Sequence, residues 1–274
     1  MNPREGLVHS SHPIGVIDSG IGGLSIWREI IKKLPNESTI YIADSKNCPY
    51  GSKSSEEIYQ LSKKLVTALL KKKVKLIVLA CNTITVSCLD RLRKEFPKTP
   101  IVGTVPVIKT ASEITKNNKI GILSTERTAK SIYQKNLIKK FASNLKVLNL
   151  GTDKLVPIVE SGEINGAQIE KVLKEVLKPF LDSSIDVLAL GCSHFPFLKK
   201  QIRQILGKNF LILDSAGAIA GQVKRVLKNN NNLSVYNSSG HTLLTTGDLN
   251  KFSKISEKIL GKTFINVLIK RISL

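Results

Sequence analysis

Lys75-Leu76-Ile77-Val78-Leu79-Ala80-Cys81-Asn82-Thr83 is the stretch on which the rest of the chain depends. Four large apolar residues and an alanine lead straight into a thiol, an amide and a hydroxyl. A short unbroken apolar run of this kind suits a strand buried on both faces, as in a parallel sheet covered by helices. In open α/β sheets ligands sit just beyond the carboxyl ends of the strands, which is where Cys81, Asn82 and Thr83 fall. The pattern recurs in Ile185-Asp186-Val187-Leu188-Ala189-Leu190-Gly191-Cys192-Ser193-His194. There too an apolar run ends in a small residue, a cysteine and two hydrogen-bonding side chains.

The echo extends backwards. Ile14-Gly15-Val16-Ile17-Asp18-Ser19 resembles Ile120-Gly121-Ile122-Leu123-Ser124-Thr125, and each precedes its cysteine by a similar distance. A period of about a hundred residues is too long for a solenoid. It predicts two pseudo-symmetric α/β domains, each with a mostly parallel sheet flanked by helices and each donating one cysteine to the cleft between them. The first domain is expected to take residues 13–105 plus 213–274, and the second 106–212.

The 274 residues suffice for such a pair. Net charge is +21, from 42 Lys+Arg against 21 Asp+Glu. The lysines are scattered over many expected helices, and aromatic residues are few, which argues against a nucleic-acid surface that stacks bases. A positive field still draws in a small anionic substrate. The four cysteines, Cys48, Cys81, Cys88 and Cys192, form no Cys-x-x-Cys pair. The polar start from Met1 to His12 lacks an apolar core, and no run is long enough to span a membrane. A cytoplasmic protein with free thiols is expected.

Between the cysteines the pattern alternates strand and helix. Asp18-Ser19-Gly20-Ile21-Gly22-Gly23 is a glycine-rich turn from a first strand into a helix that carries Trp27 and stops at Pro35. Its glycine spacing is not that of a dinucleotide fingerprint, and an acid at Asp18 would repel phosphate while holding an ammonium group. Ser54-x-x-Glu57 reads as a capping box. After Thr125 one helix is expected to carry Ile132, Leu137 and Phe141. A strand is expected over His241–Thr246, a helix capped by Asp248 after it, and a last strand over Phe264–Ile269.

Two thiols limit the chemistry. Zinc wants more ligands at tight spacing than Cys192 and His194 supply. A single nucleophile with a base needs only one thiol. Two thiols facing each other across a cleft suit inversion at a carbon acid, one removing a proton and the other returning one to the opposite face. Cys48 and Cys88 read as ordinary small buried residues, and His9, His12 and His241 fall outside any motif.

Asp18-Ser19-Gly20-x-Gly22-Gly23-Leu24, Ala43-Asp44, Pro49-Tyr50-Gly51, Ala80-Cys81-Asn82-Thr83 and Gly191-Cys192-Ser193-His194-x-Pro196 together closely resemble the signatures of the glutamate racemases. The resemblance runs from about residue 14 to the region of Asp214. It implies an enzyme that interconverts L- and D-glutamate without cofactor or metal, and that supplies D-glutamate for bacterial cell-wall peptidoglycan. It implies Cys81 and Cys192 as the acid/base thiols, with Asp18, Glu160 and His194 tuning them or the substrate ammonium. Ser19, Tyr50, Gly51, Asn82, Thr83, Thr125, Ser193 and His194 would bind the substrate. The expected partner is glutamate itself, with a homodimer left open. Ser193 and Phe195 replace the family's usual threonine and tyrosine, and the segment Ser124-Thr125-Glu126-Arg127-Thr128 carries a bulky charge where the family tends to have glycine. A racemase of the same superfamily acting on aspartate or another amino acid, and a basic nucleic-acid-binding or regulatory protein that kept the fold, are the rival readings.

Overall fold

Strand β1 (Ile14–Asp18) is buried along its whole length. It lies between β2 (Thr39–Ala43) and β3 (Leu76–Leu79) in a parallel sheet. The computed structural model describes residues 11–235, 240–261 and 267–274. The polar start with His9, and the first three residues of the expected last strand, Phe264 to Asn266, lie outside the described residues.

Helix α1 (Leu24–Lys33) follows the glycine-rich turn and buries Leu24, Ile26, Trp27 and Ile30 against the sheet. Buried Trp27 places its indole N–H on Thr39 Oγ1 at 2.8 Å. Helix α2 (Ser55–Lys71) opens on the expected capping box: Ser54 Oγ accepts from Glu57 N–H, and Glu57 accepts from Ser54 N–H. Ser54→Ala is expected to lower stability by about 1 kcal/mol in urea unfolding. Helix α3 (Asn82–Glu95) starts directly after Cys81, and β4 (Ile101–Gly103) pairs parallel with β3.

Helix α4 (Ile108–Ile114) leads into the second sheet. There β5 (Lys119–Ser124) pairs with β6 (Lys146–Gly151) and β7 (Val187–Gly191), and β7 pairs with β8 (Leu211–Leu213). Between β5 and β6 stand α5 (Glu126–Lys130) and α6 (Ile132–Phe141). This corrects the expected single helix. Ser131 closes α5 and caps α6 by accepting from Gln134 N–H, and Ile132 is 76% exposed rather than part of an apolar face. Helices α7 (Leu155–Ser161) and α8 (Ala167–Leu181) join β6 to β7, and a 3-10 turn and α9 (Lys199–Leu206) follow β7.

After β8 the chain returns to the first sheet. Helix α10 (Ala216–Asn229) packs on α1. Strand β9 (His241–Thr245) adds to β2, α11 (Leu249–Leu260) is capped by Asp248, and β10 (Val267–Arg271) forms the edge. Thus the first sheet runs β10-β9-β2-β1-β3-β4 and the second β6-β5-β7-β8. The two share the order second, first, third, fourth strand, as the repeat in the sequence required. Gly15 and Gly121, equivalent in β1 and β5, play the same part: a Cβ would meet Leu69 in one domain, and Ile185 and Phe180 in the other. Cys81 and Cys192 follow the equivalent strands β3 and β7, in different sheets.

Candidate active site

The first half of the site is the turn after β1. Asp18 is fully buried, and its Oδ1 accepts the Gly20 N–H at 2.9 Å. Its Oδ2 accepts from the Ser193 hydroxyl of the second domain, also at 2.9 Å. Burial pushes the Asp18 carboxyl up to about 6, against the opposing pull of the charge on His194 and of both hydrogen bonds. It is therefore a carboxylate at neutral pH, held in a dry place. Tyr41 donates to the Gly20 carbonyl at 2.7 Å and fixes the same turn from β2.

Cys81 sits at the start of α3, 5% exposed, with Ser19 Oγ 3.6 Å from its sulfur. Burial and the charge of Asp18 push its thiol up to about 12, so in the folded site it carries its proton. Beside it the Thr83 hydroxyl meets Thr125 at 3.0 Å and Thr128 at 3.5 Å, and Thr125 donates to Thr128 at 2.9 Å. This trio joins α3 of one domain to the start of α5 of the other. Asn82 reaches the Thr104 carbonyl at 3.4 Å.

Cys192 follows β7, with His194 Nδ1 3.8 Å from its sulfur. His194 Nε2 lies 2.6 Å from Glu160 Oε1, which also accepts the Ile21 N–H at 2.8 Å. Burial alone would lower the His194 pKa. The partners Cys192, Cys48 and Glu160 outweigh it and hold the imidazolium well above the ordinary histidine range. For Glu160 burial is likewise outweighed, by the hydrogen bond and charge of His194, and its carboxyl stays below the usual range. The two shifts agree on one state: an imidazolium paired with a carboxylate, one proton away from Cys192.

These contacts bring together, across a polar seam, the two loops that carry the buried thiols, one from each domain. A family model for Asp/Glu/hydantoin racemases matches residues 14–223, which take in both cysteines and everything between them. The chain belongs to the Asp/Glu/hydantoin racemase family. It is 36% identical over 251 residues to the glutamate racemase of Clostridium botulinum, covering 91% of this chain and 97% of that one. Among solved structures it is similar to glutamate racemase isoform RacE1 from Bacillus anthracis, with a TM-score of 0.89 at 33% identity over 97% of this chain and 99% of that one. It is also similar to the glutamate racemase of Francisella tularensis in complex with D-glutamate, with a TM-score of 0.85 at 30% identity, covering 96% and 98%.

Not every residue that the resemblance to this racemase family singled out points into the seam in the same way. The Tyr50 hydroxyl is committed to Asp44 Oδ2 at 2.5 Å, and Asp44 also accepts from Asn47 and Thr246. Gly51 lies against the second domain, where a Cβ would come 2.7 Å from Asp153 Oδ1. Two residues were missed. Thr128 joins Thr83 and Thr125; the Thr125-x-x-Thr128 spacing at a helix start puts both hydroxyls at the cap and was a legible signal. Cys48, read as an ordinary small residue, lies with Glu160 and His194, their ligating atoms all within 4.8 Å of one another. Nothing local in the sequence announces that contact. Cys88 fits its ordinary reading, its thiol turned onto the Ile84 carbonyl of its own helix, and His241 stacks edge-on with Trp27.

Proposed function

We propose that this protein is a glutamate racemase that interconverts L- and D-glutamate by proton transfer between Cys81 and Cys192. The observation that carries the reading is the pair of buried thiols at equivalent strand ends, tied together through the Ser193–Asp18 and Thr83–Thr125 contacts. With L-glutamate, the Cys192 thiolate takes the α-proton and the Cys81 thiol gives its own proton to the opposite face. Cys192 then leaves as a thiol and Cys81 as a thiolate, and D-glutamate runs the sequence in reverse. The proton on Cys81 fits the donor's part in the L-to-D direction, and His194 is placed to exchange a proton with Cys192.

An α-carbanion is poorly stabilised, so the seam must hold the substrate's charges in place. The Asp18 carboxylate pairs with the ammonium. Ser19, Asn82, Thr83, Thr125, Thr128 and Ser193 offer hydroxyl and amide donors to the carboxylates, and Tyr50 and Gly51 shape the wall. Glu160 holds the His194 ring, as a positioning residue. No cofactor or metal takes part in these steps. The same reading divides the chain into a domain of 13–105 plus 213–274 and a second of 106–212, and assigns its product, D-glutamate, to peptidoglycan synthesis in the cytoplasm. No helix among the described residues is long and apolar enough to cross a membrane.

The direct test is circular dichroism of L-glutamate incubated with purified protein and no added cofactor. The signal should decay to zero as the racemic mixture forms; an unchanged signal, or decay only after adding pyridoxal phosphate, overturns the reading. A second expectation concerns Gly20, where a Cβ would run into Glu160 Oε1. Gly20→Ala should push Glu160 off His194 and lower kcat/KM by up to about 100-fold, in a variant that is less stable but still folded by far-ultraviolet circular dichroism. Full activity in that variant would remove Glu160 from its positioning role.

A further inference from the structure

The two-thiol reaction makes no use of Cys48, yet its thiol lies beside Glu160 and His194. The three ligating atoms, a sulfur, a carboxylate oxygen and an imidazole nitrogen, all lie within 4.8 Å of one another. Around a tetrahedral zinc-type ion, donors at their usual bond lengths stand about 3.5 Å apart, so each needs to move by about an ångström or less. Two of the three are already fixed. Glu160 is pinned by the Ile21 N–H and by the lack of a side chain at Gly20, and His194 is buried with its Nε2 on Glu160. Thiolate, imidazole and carboxylate are the donor set of zinc-like cations rather than of calcium or magnesium.

The cluster also has an access route. Cys48 and Glu160 line a cavity of about 950 Å³ bounded by Ile21, Pro49, Val156 and Phe252. Neither Cys81 nor Cys192 lines it, so an ion can arrive from that side and keep water as its fourth ligand. Lys46, Lys251 and Arg271 face the same cavity, balanced only in part by Asp248. The field there does not concentrate cations, and affinity must come from direct ligation.

We propose that Cys48, Glu160 and His194 form a binding site for a zinc-type divalent cation, and that its occupation inhibits the enzyme. The ion sits among Cys48, Glu160 and His194, in place of the direct contact between His194 Nε2 and Glu160 Oε1. It fixes the imidazole and ends its proton exchange with Cys192. Binding of the ion stands on geometry alone; the inhibition rests on the racemase reading.

The experiment is titration of the metal-free, untagged protein with Co²⁺, followed by displacement with Zn²⁺. One Co²⁺ per chain should bind with a thiolate-to-cobalt charge-transfer band. In Cys48→Ser the band should vanish and the affinity fall at least ~10-fold, the least expected from losing a ligand, while racemisation without metal stays measurable, so that its inhibition can be followed. Zn²⁺ should inhibit the wild type at the concentrations at which it binds, and Cys48→Ser only at concentrations at least ~10-fold higher. A wild-type protein that binds no Co²⁺ through sulfur overturns the site. So does a band that survives Cys48→Ser and disappears in Cys81→Ser or Cys192→Ser, which would put the ion on the paired thiols. Binding at Cys48 without any loss of racemisation overturns the inhibition and leaves the racemase reading untouched.

Discussion

Cys81→Ser and Cys192→Ser should each reduce racemisation by about 10⁴-fold or to below detection, in both directions, with the fold unchanged. Serine fills nearly the same volume as cysteine, so neither buried position is left as a cavity. Its hydroxyl is far less acidic than a thiol, and so can neither serve as the base for a carbon acid nor be regenerated as one after giving up its proton. The two variants should still differ from each other. In deuterated water Cys81→Ser keeps the thiol on the face that meets L-glutamate, and should wash deuterium into L-glutamate without inverting it. Cys192→Ser should do the same with D-glutamate alone. The wild type should place deuterium at the α-carbon of the product. Normal turnover of either variant, or exchange of both enantiomers by one of them, would sink the two-thiol mechanism. The direction of the asymmetry follows from the family resemblance and from the proton that burial and Asp18 keep on Cys81. The repeat in the sequence is too even to supply it.

Much of the site could be read from the chain because its parts are contiguous motifs at strand ends. Apolar runs such as Leu76–Leu79 suit buried strands, here β3 and its counterpart β7, and the residues just beyond such a strand in a parallel sheet face the ligand. Asp18, Cys81 and Cys192 are found by that rule alone, and the repeat of the pattern accounts for the shared strand order of the two sheets. Two other features are visible in the sequence. Ser131-x-x-Gln134 has the form of a capping box, and its serine does cap α6. The threonine pair at 125 and 128 is the second. Cys48 is of a different kind. Its neighbours Glu160 and His194 come from α7 and from the loop after β7, and only the docking of the two domains brings them together. The commitment of Tyr50 to Asp44 is equally invisible, since a tyrosine beside glycine reads the same whether its hydroxyl faces a substrate or a neighbouring acid.

Asp18→Asn should make the protein more stable at neutral pH while it loses activity. The wild-type carboxyl is raised from its ordinary 3.8 to about 6, chiefly by burial. Folding therefore favours its protonated form. The group costs nothing below about pH 4, its cost grows between there and about pH 6, and above that the folded state carries the whole penalty. At about 1.4 kcal/mol per pKa unit the penalty is about 3 kcal/mol at most. Asparagine avoids it without giving up the local bonds: Oδ1 can still accept the Gly20 N–H, and the Ser193 hydroxyl can turn to accept from Nδ2 in place of donating. Urea unfolding at pH 7.5, a working value above about 6, should show the variant more stable by about 2–3 kcal/mol, with the gap closing as pH falls towards about 4. Racemisation should fall by at least about 100-fold, as expected when a fixed charge that holds the reacting group is removed. A variant less stable than wild type at pH 7.5, or a gap that does not narrow with acid, would show that Asp18 is no strained carboxylate. Under the racemase reading, an aspartate kept at that expense in a fully buried turn serves the substrate ammonium, because the His194 imidazolium, the cation that the folded protein does supply, only partly offsets its burial.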